Sequence, residues 1–329
     1  MLGHMVRRIL LGLVTIWAVS VVSFAIISLP PGDYVQAYIA QLMLQGELVS
    51  DSEASNLREQ YGLNSPIYVQ YFKWASQAAR GNFGVSMQWQ APVMEVIGDR
   101  LWLTAALAFF AVMLTWMLAI PIGIYSAVKQ YSVADYSFTF IGFIGLATPN
   151  FLLALVLMYL GFVWFDASIG GLFSDEYAIA PYSVGKVWDL FKHLWLPSLI
   201  LALGGTAQLI RIMRANLLDE LRKPYVVTAR AKGMPEWKLI FKYPVRVALN
   251  PLISTVGYLL PYLVSGSIIV SIVLGLPTVG PLLFSSLIAQ DMFLAGTIIL
   301  FIGIMTVIGT LISDLLLAWV DPRIRFENR

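Results

Sequence analysis

The chain has 329 residues, of which 12% are charged and 59% belong to the hydrophobic set, with a mean hydropathy of +0.77 and a formal net charge of +2. A soluble domain carries roughly 25% charged residues and under half apolar ones, so lipid must be the solvent for much of this surface. There is no cysteine, and only His4 and His193 supply imidazole, which excludes disulfides and thiolate chemistry and leaves too few ligands for a histidine metal cage.

The first apolar stretch, Ile9 to Leu29, follows Arg7 and Arg8. It is about twenty residues long, against the shorter apolar core of a cleavable signal. Pro30-Pro31-Gly32-Asp33 follows it instead of a small-residue cleavage site, so it reads as a retained first span. A mixed polar stretch comes next, with Glu53, Arg58 and Glu59 at helical spacing, then Tyr68, Tyr71, Phe72 and Trp74. Further spanning helices are predicted over Leu101–Val128, Tyr136–Phe165, Leu194–Ile212, Pro251–Leu276 and Leu294–Val320, each near or above the roughly 17 residues that cross a bilayer. Pro121, Pro149, Gly204-Gly205 and Pro261 fall inside these spans. Neighbouring helices re-satisfy backbone groups freed at such points, and small residues let helices approach closely.

Charge sets the expected orientation. With a cytosolic amino terminus, the inner segments hold 15 of the 21 basic residues: Arg7, Arg8, Lys129, all from Arg211 to Arg246, and Arg323, Arg325 and Arg329. The outer segments hold Arg58, Lys73, Arg80, Arg100, Lys186 and Lys192 against 12 acids. Basic loops stay inside, so both termini are expected in the cytosol.

The chain has no G-x-x-x-x-G-K-[ST] loop, G-x-S-x-G elbow, H-E-x-x-H pair or C-x-x-C. Between the span ends the one acidic residue is Asp314, near the end of the last span, where it reads as half of a structural ion pair with Arg211 or Arg214. A secondary transporter or proton pump generally needs ionisable groups at mid-membrane. Energy for uphill transport is therefore expected from another subunit.

Within the basic loop, Pro224 suits a first helical position. Gly233 suits the position after a helix end, with Pro235 beyond it. The spacing predicts a helix of about two turns, too short to be stable alone, with small residues Ala229 and Ala231 beside Arg230 and Lys232. Such a helix suits a groove on a partner. A basic segment attracted to anionic membrane lipid is the competing reading of the same residues.

Tyr225-Val-Val-Thr-Ala-Arg-Ala-Lys-Gly233 resembles the cytoplasmic coupling motif of ABC importer permeases in the dipeptide/oligopeptide/nickel family. Val227, Thr228 and Ala229 stand where the broader superfamily has Glu-Ala-Ala, a form that looks usual for this subfamily. Arg7-Arg8, Pro31-Gly32-Asp33, the run from Tyr61 to Tyr71, Gly81 to Ser86 (with Asn82 where the family normally has Asp), Gly275 to Gly280 and Asp321 to Arg325 are similar to family motifs in the same order. The resemblance covers almost the whole chain.

It implies an all-α polytopic membrane protein of about six spans with the type I ABC importer transmembrane fold. The expected division is an N-terminal span over 1–30, an external periplasmic region over 31–97, a permease core over 98–320 with its coupling loop at 211–250, and a cytosolic tail over 321–329. Tyr225, Thr228, Ala229, Arg230, Ala231, Lys232 and Gly233 would couple to ATPase subunits. The implied partners are a second homologous permease subunit, two ATP-binding subunits, an extracytoplasmic solute-binding protein and membrane lipid, with no nucleic acid. ATP and Mg2+ would belong to the ATPases, with no cofactor in this chain. The implied solute is a di- or oligopeptide, with oligosaccharides and nickel chelates also served by the family. Asn150, Thr206, Gln208, Tyr258, Tyr262 and Ser265 are the candidate pathway-lining residues, because Pro149-Asn150 and Pro261-Tyr262 interrupt two spans. A stand-alone secondary transporter or channel is the alternative and would work without ATPases. A membrane enzyme would need a catalytic set that these motifs do not supply.

Overall fold

The computed structural model describes residues 2–29, 34–44, 50–60, 62–165 and 170–320. In chain order the helices are α1 Leu2–Ile27, α2 Tyr34–Leu44, α3 Asp51–Gln60, α4 Ile67–Ala78, α5 Val93–Ile97, α6 Arg100–Val128, α7 Val133–Ala147, α8 Asn150–Phe165, α9 Asp175–Ala178, α10 Val184–Leu221, α11 Pro224–Ala231, α12 Glu236–Lys242, α13 Pro244–Ala248, α14 Asn250–Ser254, α15 Val256–Val273, α16 Val279–Ile288 and α17 Met292–Val320. Among the described residues the extended structure is one isolated bridge, Val85 to Pro92. The tail over 321–329, Pro31 to Asp33 and Tyr61 lie outside the described residues.

Among the described residues four segments are long and apolar enough to cross a membrane: Val6–Ile27, Arg100–Val128, Val184–Leu221 and Met292–Leu317. The α7–α8 pair makes a fifth if taken as one span. The span expected over 251–276 is carried by α14 and α15, whose apolar part Tyr262–Val273 is shorter.

Prolines act differently in different spans. The expected span Tyr136–Phe165 is bent by 105° between α7 and α8. Thr148, preceding Pro149, is extended at φ −88° and ψ 123°, as the proline ring disfavours helical geometry there. The Pro149 carbonyl then accepts from Leu152 N at 3.0 Å and Leu153 N at 3.1 Å, starting α8. Pro121 and Pro197, by contrast, sit inside the continuous helices α6 and α10. The expected span Leu194–Ile212 is the middle of α10, which is 38 residues long.

The chain forms two compact units. One comprises Leu2–Leu103 and Thr278–Val307. In it Phe24 of α1 packs on Tyr71 and Trp74 of α4 at ring-centroid distances of 5.5 and 5.9 Å, and Ser20 Oγ and Tyr71 Oη share a hydrogen bond of 2.9 Å. Asp291, fully buried, caps α17 by accepting from Leu294 N at 3.1 Å. Its other carboxylate oxygen accepts from Ser86 Oγ at 2.5 Å and Gln88 N at 3.0 Å. The glycine-rich segment singled out at 81–86 is thereby fastened to the start of the last helix.

The other unit comprises Thr104–Pro277 and Ile308–Arg329 and is built around α10. α7 runs antiparallel along it at small residues. A Cβ at Gly142 would lie 3.3 Å from that of Ala207, and one at Gly145 would lie 3.4 Å from the Leu203 carbonyl oxygen.

Candidate functional site

The end of α10, α11 and α12 form one local structure. α11 begins at Pro224 with Lys223 as N-cap in extended geometry, and ends with Lys232 as C-cap. Gly233 has φ +75°, and a Cβ there would meet no atom within 4 Å. The site is open, and the requirement for glycine is the left-handed backbone.

α11 is held by two anchors. Val226 is fully buried among Met213, Leu217, Leu239, Val245 and Leu252, with Ala229 packed beside it. The second anchor is polar: the buried Glu220 carboxylate accepts from Tyr225 Oη at 2.5 Å and from Lys223 Nζ at 2.5 Å. Burial first, and then the Glu220 carboxylate, push the Tyr225 phenol above its ordinary ionisation range. Thr228 Oγ1 donates to the Pro224 carbonyl at 2.9 Å within its own helix. Arg230 reaches Glu236 at the start of α12, with Nε donating to Oε2 at 3.0 Å. The Arg230 guanidinium holds the Glu236 carboxyl below its ordinary value, although both side chains are half-exposed and water screens the pair. The face carrying Pro224, Val227, Thr228 and Ala231 is exposed, as are Lys232 and Gly233.

Neither Val226 nor Glu220 was singled out from sequence. Glu220 lies on α10, five residues before Tyr225 and across the break at Lys223-Pro224, so helical periodicity does not connect them. Arg214 has Asp135 of α7 as its partner, at 3.1 Å, in place of the Asp314 expected from sequence. The same Asp135 carboxylate oxygen accepts from Tyr131 N at 3.0 Å, tying the turn before α7 to α10.

The candidate pathway residues separate into groups. Asn150 opens α8 at the bend, and its side chain lies against Gly204 of α10: a Cβ on Gly204 would be 3.3 Å from Asn150 Oδ1 and 3.5 Å from Tyr262 Oη of α15. Gly266, one turn beyond Tyr262, also leaves room for the Asn150 amide, with 4.0 Å from its added Cβ to Nδ2. Asn150 and Tyr262 are thus brought together by glycines. Gln208 and Ser265 are exposed, each one turn from this cluster. Thr206 is buried and donates to the Ala202 carbonyl at 2.7 Å. Tyr258 lies on α15, with its side chain outside the described ones. Among the described residues no group of three or more His, Cys, Asp or Glu could hold a metal.

These features define a multi-pass, all-α membrane protein with a short, half-covered helix on a basic loop. The family model for the inner membrane component of binding-protein-dependent transport systems matches residues 119–326, and the model for the N-terminal part of such components matches residues 1–108. The chain belongs to this family of ABC importer permeases. It is 34% identical to the oligopeptide transport system permease protein AppB of Bacillus subtilis (strain 168), over 99% of this chain and 100% of that protein. It is 31% identical to the dipeptide transport system permease protein DppB of Alkalihalophilus pseudofirmus, over 99% of this chain and 100% of that protein. The fold is similar to that of the MetNI methionine ABC transporter, with a TM-score of 0.53 at 17% identity, over 69% of this chain and 97% of that chain.

Proposed function

We propose that this chain is one of two homologous permease subunits of an importer for di- or oligopeptides, and that α11 is where ATP-driven motion enters it. Two ATPase subunits holding ATP and Mg2+ dock on the basic side, which the charge distribution puts in the cytosol, and an external binding protein delivers solute. The names of the full-length relatives support the peptide class.

One observation carries the coupling role. α11 buries a single residue fully, Val226, and leaves Pro224, Val227, Thr228 and Ala231 as an exposed face of modest side chains. An eight-residue helix is unstable unless packed, and this one is fastened on one side only. Its two anchors lead into α10, and α10 meets α7 through Arg214–Asp135, α8 through Asn150, and α15 through Tyr262. A push on α11 is thereby delivered to the helices that surround the Asn150–Tyr262 cluster, which is the proposed solute path.

The test is Gly233→Asp in the complete transporter. The variant inserts and assembles, but ATP-dependent uptake is lost, because a charge and a strained backbone are placed at the end of the docking helix. Normal uptake by this variant would refute the lever.

A further inference from the structure

Arg211 and Arg214 lie three residues apart on α10 and have different surroundings. Arg214 is neutralised by Asp135. Among the described residues no carboxylate pairs with Arg211; its guanidinium carbon lies 5.7 Å from the centroid of the Phe143 ring. Arg211 borders a groove between α7 and α10, along with Phe138, Thr139, Gly142, Phe143 and Ala207. The groove exists because Gly142 and Ala207 meet there without long side chains.

The level of this groove follows from its neighbours. α7 starts at Val133, after a short turn from α6, with the Ser132 hydroxyl capping it. Tyr125, Tyr131 and Tyr136 are exposed around this end, as aromatic side chains are at a membrane boundary. The antiparallel register places Arg211 beside Phe138 and Thr139, about one helical turn, or ~5 Å, inside Asp135. Phe140, Phe143 and Ile144 of α7 are exposed and apolar. An uncompensated guanidinium just within the boundary, flanked by an exposed hydrocarbon wall, matches a ligand with an anionic head and an apolar tail.

We propose that the α7–α10 groove binds an anionic phospholipid, with its phosphate on Arg211 and an acyl chain along Phe143 and Ile144. A guanidinium pairs with phosphate through two parallel hydrogen bonds, and the Phe143 ring holds the cation at the groove mouth. The competing occupant of Arg211 is the carboxylate of a transported peptide. The apolar, exposed side chains beside it favour lipid. The site is independent of the coupling role proposed for α11.

Native mass spectrometry of the full chain tests this, with phosphatidylglycerol or phosphatidylcholine of matched acyl chains titrated into the detergent-purified protein. Wild type binds one phosphatidylglycerol in preference to phosphatidylcholine. Arg211→Gln weakens that preference about fivefold, the effect of one juxtamembrane cation. Arg211→Lys, a point charge without the guanidinium fork, keeps only part of it. Thr139→Trp, which fills the groove and leaves the cation, also loses it and decides the matter if Arg211→Gln does not fold. Lys129→Gln, which removes an exposed cation at the same end, leaves the preference intact. Three results would overturn the proposal: an unchanged preference in Thr139→Trp or Arg211→Gln; an equal loss in Lys129→Gln, which indicates diffuse surface charge; or displacement of phosphatidylglycerol by a dipeptide but not by its C-terminally amidated form, which indicates a solute site.

Discussion

Replacing Tyr225 by phenylalanine removes the hydroxyl that the buried Glu220 carboxylate accepts from and leaves the ring in place. A hydrogen bond to a charged acceptor contributes about 1.5–3 kcal/mol. Tyr225 is 38% exposed, so water takes over part of the lost bond and the lower end applies, about 1.5 kcal/mol. That corresponds to a roughly tenfold shift in the balance between anchored and released α11. Lys223 contacts the same carboxylate, but its side chain is 51% exposed, and such a pair contributes under about 1 kcal/mol. The two substitutions therefore rank. In proteoliposomes containing the assembled transporter, Tyr225→Phe is expected to raise the ATP hydrolysed per solute imported several-fold, and Lys223→Ala to leave it near wild type. A double-mutant cycle with Glu220→Ala should return a coupling energy of about 1.5 kcal/mol for the tyrosine. Equal effects of Tyr225→Phe and Lys223→Ala, or an unchanged ratio in both, would show that this anchor does not transmit motion.

Asp291→Ala leaves Ser86, Gln88 and Leu294 without their acceptor in a fully buried site and is expected to destabilise its unit by about 3 kcal/mol, with Asp291→Asn milder; thermal unfolding of the purified chain measures both. Gly204→Val drives methyl groups into Asn150 and Tyr262, an overpacking cost of about 1–3 kcal/mol, and should slow transport with assembly intact, whereas Gly204→Ala is mild; uptake by both variants compares them. For pH, the raised Tyr225 ionisation means that the folded state holds its proton more tightly. Its contribution is complete below the ordinary tyrosine value of about 10 and is lost as pH rises beyond that value. A spectrophotometric titration should show a late-ionising phenol that is missing in Tyr225→Phe.

The lipid-crossing character, the short helix at 224–231 and its glycine stop could all be read from the chain because each rests on local chemistry: apolar run length, proline at a helix start, glycine at a helix end. The 105° bend between α7 and α8 was harder to read. Pro121, Pro149 and Pro197 look alike in sequence, and only Pro149 breaks its helix, with Thr148 extended before it. Asp135 as the partner of Arg214, Glu220 as the anchor of Tyr225 and Gly204 as the cradle of Asn150 are tertiary pairings that no spacing rule reaches. Thr206 and Gln208 show the limit of a list of polar span residues: two positions apart on α10, one is buried and bonded within its own helix and the other is exposed.

The central claim is that this chain conducts solute but takes its energy from separate ATPase subunits through α11. Reconstitution into liposomes tests it most directly, comparing the chain with its permease partner alone against the full set of subunits with ATP and the loaded binding protein. The account predicts concentrative uptake only in the full set. Concentrative uptake by this chain without ATPases would contradict it.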